Sequence, residues 1–294
     1  MIKPEKNTSI APYTHYQIGG VAREVYFPAN ASELHELLKS FVDNGTDYYI
    51  LGSGSNVLIG DGYWDGSVII TADMNSYEIF NNHINCGAGM LSSNIAEIAL
   101  EKSKTGLEFL YLLPGSIGGA LAGNARYDYT SVSDVLKCFT AVHPDKDIHT
   151  FASEDVDFTY KRNSIVQEGW YICEVSLNWK NGDPAVIQQR MNDIEKARKE
   201  THQFDFPSCG CIFKNDHEKN IQAGRLIDSL GLKDLTVGGA QVAPFHANFI
   251  INTGNATARD VLNLIEKIEK IVFEKTGVKL EREVSLLGNF GGER

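Results

Sequence analysis

One turn limits the folds open to this chain. The apolar run Tyr48-Tyr49-Ile50-Leu51 reads as a buried strand and leads directly into Gly52-Ser53-Gly54-Ser55-Asn56. Glycines at such a point let the backbone turn tightly and approach a ligand closely. Successive free N–H groups in the turn form a concavity for an anion, with a pyrophosphate as the obvious guest. The dinucleotide fingerprint of doubly wound folds needs a third glycine that opens a helix. Here that position is Val57, and the segment after it is strand-like. A Rossmann architecture is therefore excluded. Taken alone, the turn leaves two readings open, an ordinary glycine-rich bend or a phosphate cradle.

Two further segments favour the cradle. Leu113-Pro114-Gly115-Ser116-Ile117-Gly118-Gly119-Ala120 places three glycines and one hydroxyl within eight residues, and Ile18-Gly19-Gly20 precedes what reads as the first strand. Three glycine turns in one lobe suggest backbone wrapped around a long, phosphate-bearing cofactor.

With 294 residues the chain is long for one core, so two or three lobes are expected. Short apolar strands alternate with amphipathic helices, which argues α/β or α+β. A first helix carries Leu34, Leu37, Leu38 and Phe41 on one face and stops at Asn44-Gly45; a second runs from Ser92-Ser93 to Gly106. Residues 135–179 are strand-rich. At Lys180-Asn181-Gly182-Asp183-Pro184, Asp183 suits an N-cap and Pro184 a first helical residue, and a polar helix follows to about Glu200. The last long helix has Val261, Leu264, Ile265, Ile268 and Val272 in register with Gly277 as its stop, and a strand around Glu283-Val284-Ser285-Leu286-Leu287 closes the chain. Two main units split near residue 183, the first large enough for two lobes.

The net charge of −11 and the pI near 5.2 disfavour nucleic acid and anionic membrane as partners. An anionic substrate stays open, because a few local basic residues can outweigh the mean field. The cysteines, Cys86, Cys138, Cys173, Cys209 and Cys211, are odd in number and the first three lie in apolar stretches, which indicates a reducing compartment. Met1-Ile2-Lys3-Pro4-Glu5-Lys6-Asn7 lacks the apolar region of a secretory signal. No run approaches the roughly 18 apolar residues of a membrane span. A cytoplasmic location is expected.

Together the motifs resemble the UDP-N-acetylenolpyruvoylglucosamine reductase (MurB) family. The resemblance runs from about Tyr13 to Gly288. It rests on Tyr13-Thr14 with Ile18-Gly19-Gly20, Gly52-Ser53-Gly54-Ser55-Asn56-Val57-Leu58, Gly106-Leu107-Glu108, Pro114 to Ala120 and Arg162-Asn163-Ser164. Further on come Pro207-Ser208-Cys209-Gly210-Cys211-Ile212-Phe213, Ala223-Gly224-Arg225-Leu226-Ile227, Gly238-Gly239-Ala240-Gln241-Val242, His246-Ala247-Asn248-Phe249 and Leu280-Glu281-Arg282-Glu283-Val284. The resemblance implies an α+β fold: a two-lobed FAD-binding domain of the vanillyl-alcohol-oxidase (PCMH) type over 16–182, a C-terminal α+β substrate domain over 183–283, and a strand at 284–294 returning toward the FAD domain. It implies FAD as cofactor, NADPH as co-substrate, a UDP-sugar substrate and a monomeric chain of the shorter class, without an extra tyrosine-bearing loop. The implied reaction reduces an enolpyruvyl ether to a lactyl ether.

By motif position, the resemblance gives Arg162 the substrate carboxylate, Glu283 the developing enolate and Cys211 the role of general acid. It places FAD on Gly52, Ser53, Gly54, Ser55, Asn56, Gly115, Ser116, Gly118, Gly119 and Asn124, and substrate on Tyr160, Lys214 and Asn215. Each also has a plain reading: an arginine at the start of a strand is commonly a solvated charge, and Glu283 stands in the charged run Glu281-Arg282-Glu283. Cys209-Gly210-Cys211 with His202 and His217 nearby could suggest a metal pair, but tight zinc pairs space cysteines by two or more residues, and no metal is expected.

Three positions depart from the family pattern. Family members often read Asn-Ala-Gly-Ala-Tyr-Gly where this chain has Asn124-Ala125-Arg126-Tyr127-Asp128-Tyr129; Lys161 separates Tyr160 from Arg162; and Gln17 stands where a basic residue is common. They leave room for another FAD-dependent oxidoreductase on the same scaffold, or for a non-catalytic nucleotide-binding relative.

Overall fold

The computed structural model describes residues 2–290. The chain forms two compact units: Met1–Glu5, Glu24–Ser53 and Gly66–Ala197 make the first, and Lys6–Arg23, Gly54–Asp65 and Arg198–Arg294 the second. Helices and mainly antiparallel sheets are mixed in both, so the architecture is α+β. Among the described residues, no helix is long and apolar enough to cross a membrane.

The first unit is built on a five-stranded antiparallel sheet ordered Lys146–Ala152, Leu136–His143, Tyr171–Asn178, His83–Gly87, Tyr77–Ile79. The middle strand buries Ile172, Cys173, Val175 and Leu177, and its near-continuous apolar run is what a strand covered on both faces requires. Helices Ser92–Glu101 and Ile117–Ala122 share a core with this sheet through Ile95, Ala99, Ile117 and Leu121.

In the same unit, helix Ala31–Asn44 buries Leu34, Leu37, Leu38 and Phe41 as its spacing predicts. The Asn30 side chain accepts from Glu33 N at 3.0 Å to start it, and Gly45 at φ +63° ends it. Strand Tyr48–Leu51 follows as expected and pairs in parallel with residues 67–70. Helix Pro184–Glu200 starts under Asp183, whose carboxylate accepts from Ala185 N at 2.9 Å.

The second helix ends earlier than Gly106. It stops at Glu101, and Lys104–Thr105 instead pairs with Lys180–Asn181. The buried Lys104 ammonium donates to Asn81 O and Asn181 Oδ1 at 2.7 Å each, which draws the chain into that pairing.

In the second unit, helix Ala258–Thr276 packs against strands Thr236–Val237 and Ala240–Val242 of an antiparallel sheet that Ile250–Asn252 completes. Val261, Leu264, Ile265, Ile268 and Val272 are all buried, and Gly277 at φ +71° is the stop. Its first N–H groups are capped from outside the helix by the Asp61 carboxylate, 2.9 Å from Ala258 N and 3.2 Å from Arg259 N.

The closing strand is Ser285–Leu287, parallel to Val57–Ile59, with Glu283 and Val284 ahead of it. Of the C-terminal segment expected over 284–294, residues 291–294 lie outside the described residues. A strand, Glu5–Ser9, also precedes Ile18-Gly19-Gly20. It is largely exposed and carries no apolar alternation that periodicity could detect.

Candidate active site

Strand Tyr48–Leu51 delivers Gly52 and Ser53 to a tight place. A Cβ on Gly52 would lie 2.6 Å from Ser116 Oγ. The Ser53 and Ser116 hydroxyls are both buried and have no hydrogen-bond partner among the described residues. A buried, unmet polar group costs about 1–3 kcal/mol. Two such hydroxyls, on Ser116 and on the neighbour of the glycine it touches, fit a ligand rich in acceptors, and the phosphates of FAD are of that kind.

Ser116 is the N-cap of helix Ile117–Ala122 and makes no side-chain capping bond, so its hydroxyl stays available. The glycine-rich segment is thus a turn followed by a helix. Gly115, at φ +114°, makes the turn, and its carbonyl accepts from Ser92 N and Oγ at 3.0 and 3.1 Å. Gly118 seats the helix, since a Cβ there would meet Ala88 Cβ at 2.6 Å. Gly119 is exposed, and a Cβ there would make ordinary contact with Ser116 Oγ at 3.5 Å. Asn124 Oδ1 accepts from Ser133 N at 3.2 Å.

Gly54, Ser55 and Asn56 belong to the second unit. A Cβ on Gly54 would strike Tyr13 O at 2.2 Å, and His15 N donates to Gly54 O at 3.0 Å. The Tyr13-Thr14 motif therefore has a packing reason. Ser55 follows half-buried, and Asn56 Nδ2 donates to Glu283 O at 3.2 Å.

Cys211 and Glu283 come together in this unit. Ile212 N donates to Asn248 O at 2.9 Å on one side of the segment, and Glu283 N donates to Ile212 O at 2.7 Å on the other. The Asn248 side chain closes a second loop: its Oδ1 accepts from Phe213 N at 3.0 Å and its Nδ2 donates to Phe213 O at 2.8 Å. Cys211 bridges to Phe249 and packs against Ala243, Phe249 and Ile251.

Cys209 is buried beside them. Burial pushes its thiol up to about 12, its hydrogen bond with the Tyr16 hydroxyl partly opposes this, and Cys211 and Glu283 push it further up. Tyr16, fully buried, donates in turn to Ile250 O at 2.8 Å. Lys214 is paired with Glu281 at 2.6 Å, and Asn215 Oδ1 accepts from Ala223 N at 3.0 Å, starting helix Ala223–Ser229. All five cysteines are free thiols.

Arg162 lies in the first unit, on a hairpin that pairs Phe158–Thr159 with Arg162–Asn163. Tyr160 and Lys161 form its turn, Lys161 at φ +59°, and Tyr160 is exposed at the tip. The residue that departs from the family pattern thus sits at the left-handed turn position. The exposed Arg162 donates through Nε to Gln167 Oε1, while Asn163 Oδ1 accepts from Ile165 N at 3.0 Å.

Arg126 occupies a hairpin of its own, and its guanidinium donates to Asp128 O at 3.0 Å and Tyr129 O at 3.2 Å. It braces the turn rather than marking a degenerate site. Sequence reasoning missed Gln167 and gave Asn248 no task. Gln167 lies only five residues from Arg162, a local signal, whereas Asn248, though part of the motif His246-Ala247-Asn248-Phe249, acts on Phe213 across 35 residues, which no local pattern spans.

Residues 22–152 match a family model described as FAD binding domain, and residues 201–287 match the UDP-N-acetylenolpyruvoylglucosamine reductase C-terminal domain. A UDP-N-acetylenolpyruvoylglucosamine reductase of Borrelia garinii is 36% identical over 98% of this chain and 94% of that protein. The reductase of Borreliella burgdorferi is 37% identical over 98% and 95%. The crystal structure of UDP-N-acetylenolpyruvylglucosamine reductase (MurB) from Thermus caldophilus superposes with a TM-score of 0.82 at 31% identity, covering 98% of this chain and all of that one.

Proposed function

This chain belongs to the UDP-N-acetylenolpyruvoylglucosamine reductase family, and from that premise we propose that it reduces UDP-N-acetylglucosamine enolpyruvate to UDP-N-acetylmuramate, using NADPH and bound FAD, as a cytoplasmic step of peptidoglycan precursor synthesis. Family membership over nearly the whole chain carries the reading, and the two orphaned serine hydroxyls support the cofactor. Neither alternative, a different flavin oxidation or a non-catalytic relative, is favoured by an observation.

Bound FAD supplies the redox link between NADPH and the alkene carbon. Gly52, Ser53, Gly54, Ser55, Asn56, Gly115, Ser116, Gly118, Gly119 and Asn124 hold it, the hydroxyls of Ser53 and Ser116 as donors and Gly118 by seating the helix that begins at Ser116. Hydride arriving at the alkene terminus builds negative charge beside an existing carboxylate. Such a dianion is very unfavourable in a dry site unless a cation or an acidic proton faces it.

Arg162 meets the carboxylate, since a planar guanidinium binds it through two N–H groups at once. Cys211 gives its proton to the carbon next to the carboxylate. A thiol is a far stronger acid than a serine hydroxyl, which suits it to this donation. Glu283, tied through its main chain to Ile212, assists at the developing enolate. Lys214 and Asn215 contact the diphosphate or sugar of the substrate, and Tyr160 also binds substrate. On this reading the FAD-binding domain spans 16–182, the substrate domain 183–283 and the returning C-terminal segment 284–294, and the enzyme works as a monomer.

The test is spectroscopic. Flavin bands of the purified protein should bleach when NADPH is added without air and return when the enolpyruvyl sugar nucleotide follows. A colourless protein that cannot take up FAD would overturn the enzyme reading.

A further inference from the structure

Arg162 stands on the surface of its hairpin, where a long side chain has many rotamers to lose on binding. One contact restrains it: Nε–H donates to Gln167 Oε1. The two Nη groups, which make up the far end of the fork, have no hydrogen-bond partner among the described residues. An arginine held at Nε and free at both Nη groups presents the edge that binds a carboxylate bidentately.

Six residues build this arrangement. Thr159 pairs with Arg162 across the hairpin, and Asn163, buried, ends the strand. Its Oδ1 accepts from Ile165 N at 3.0 Å and Val166 N at 3.4 Å, which starts helix Ser164–Gln167 at once. That one turn of helix ends on Gln167 and brings its amide back to the Arg162 side chain. An amide also has the right charge. A glutamate in its place would pair with the guanidinium and neutralise it, whereas a neutral carbonyl orients the fork and leaves its charge for the ligand.

We infer that Gln167 is a positioning residue for Arg162, fixing the guanidinium before the substrate carboxylate arrives. The inference rests on the reading that Arg162 binds that carboxylate. Preorganisation of this kind raises affinity by removing an ordering cost from the binding step. It therefore acts only on ligands that carry the carboxylate.

The experiment compares two ligands on the flavin-loaded protein, by perturbation of the flavin absorbance. UDP-N-acetylmuramate has the carboxylate and UDP-N-acetylglucosamine lacks it. Gln167→Met keeps length and packing and removes the acceptor. It should weaken UDP-N-acetylmuramate about tenfold and leave UDP-N-acetylglucosamine, flavin content and the melting midpoint unchanged. In an Arg162→Met background the same substitution should have no further effect, because its partner is gone.

Equal weakening of both ligands, or an undiminished loss in the Arg162→Met background, would show a structural role and overturn the inference. If Arg162→Met itself leaves UDP-N-acetylmuramate binding intact, the carboxylate assignment fails and takes the inference with it. If Arg162→Met weakens binding and Gln167→Met does not, only the inference falls.

Discussion

Two arginines of the first unit sit on hairpins of the same build. Arg126–Tyr127 pairs with Thr130–Ser131 around Asp128 and Tyr129, and Phe158–Thr159 pairs with Arg162–Asn163 around Tyr160 and Lys161. Each turn holds a non-glycine residue at positive φ, Asp128 at +54° and Lys161 at +59°. Each hairpin runs directly into a four-residue helix, Val132–Val135 or Ser164–Gln167, whose N-cap is the last strand residue. The arginines differ in what they face. Arg126 folds over its own turn and donates to the carbonyls of Asp128 and Tyr129, while Arg162 is held at Nε by Gln167. The same scaffold can thus use an arginine as a brace or keep its charge for a ligand: both are held at Nε by a neutral acceptor, but an Arg126 Nη also donates to Tyr129 O, whereas the Arg162 Nη groups have no hydrogen-bond partner among the described residues.

Cys211, outside both hairpins, sets the scale. Loss of a general acid typically costs 10²–10⁴-fold. Cys211→Ala should therefore slow flavin reoxidation by the enolpyruvyl substrate by about 10³-fold and leave bleaching by NADPH intact, as single-turnover absorbance would record. Cys211→Ser should keep measurable turnover. Equal loss of both half-reactions in the alanine variant would remove Cys211 from the acid role.

The hairpins themselves are separated by the same conservative change at each. Arg162→Lys replaces a fork with a point charge and should lower kcat/KM on the order of a hundredfold. Arg126→Lys should stay within about twofold, because it touches only its own turn. Equal losses in the two variants would break the comparison, and wild-type rates in Arg162→Lys would refute the carboxylate assignment.

A smaller effect is expected from restoring the glycine that family members often carry at position 126. Arg126→Gly removes two exposed hydrogen bonds and frees the unfolded backbone, together worth about 1 kcal/mol of stability. Urea unfolding should register that change, and fluorescence titration should show FAD affinity unaltered within about twofold. A large loss of FAD affinity would mean that Arg126 serves the cofactor after all.

The sequence made most of this fold legible wherever the signal was local. The stripe from Leu34 to Phe41 with Gly45, the Asp183-Pro184 start and the long helix closed by Gly277 all appear as read, since caps and apolar periodicity act within a few residues. The strand Glu5–Ser9 escaped because its residues are largely exposed, and the early end of helix Ser92–Glu101 because Lys104 finds its partners on Asn81 and Asn181. At the site, the Gly52 turn announced a close approach but not that Ser116 would be the neighbour. Cys211 and Glu283 could be paired in advance only through resemblance, because Asn248 and Ile212, which bring them together, act across long stretches of chain. Arg126 shows the converse: a departure that suggested degeneracy has a local structural use that only coordinates reveal.

The finest distinction between the hairpins lies in their caps. In the first, the Asp134 carboxylate accepts from Ser131 N at 2.8 Å and Ser131 Oγ at 2.7 Å, and these bonds, the backbone one foremost, hold its pKa below the ordinary aspartate value. A carboxylate depressed on folding adds stability above its unfolded pKa and loses it as pH falls through the folded one. In the second, the cap is the neutral amide of Asn163, which has nothing to protonate. Hydrogen exchange, corrected for intrinsic rates, should show protection at residues 131–134 falling as pH drops below about 5 and through the depressed folded pKa, while residues 163–167 hold until the unit unfolds as a whole. Simultaneous loss in both segments would mean that acid acts on the core first and that the caps do not differ in practice. Loss in the first segment alone would show that the hairpin presenting Arg162 keeps its geometry over a pH range in which the braced one loosens.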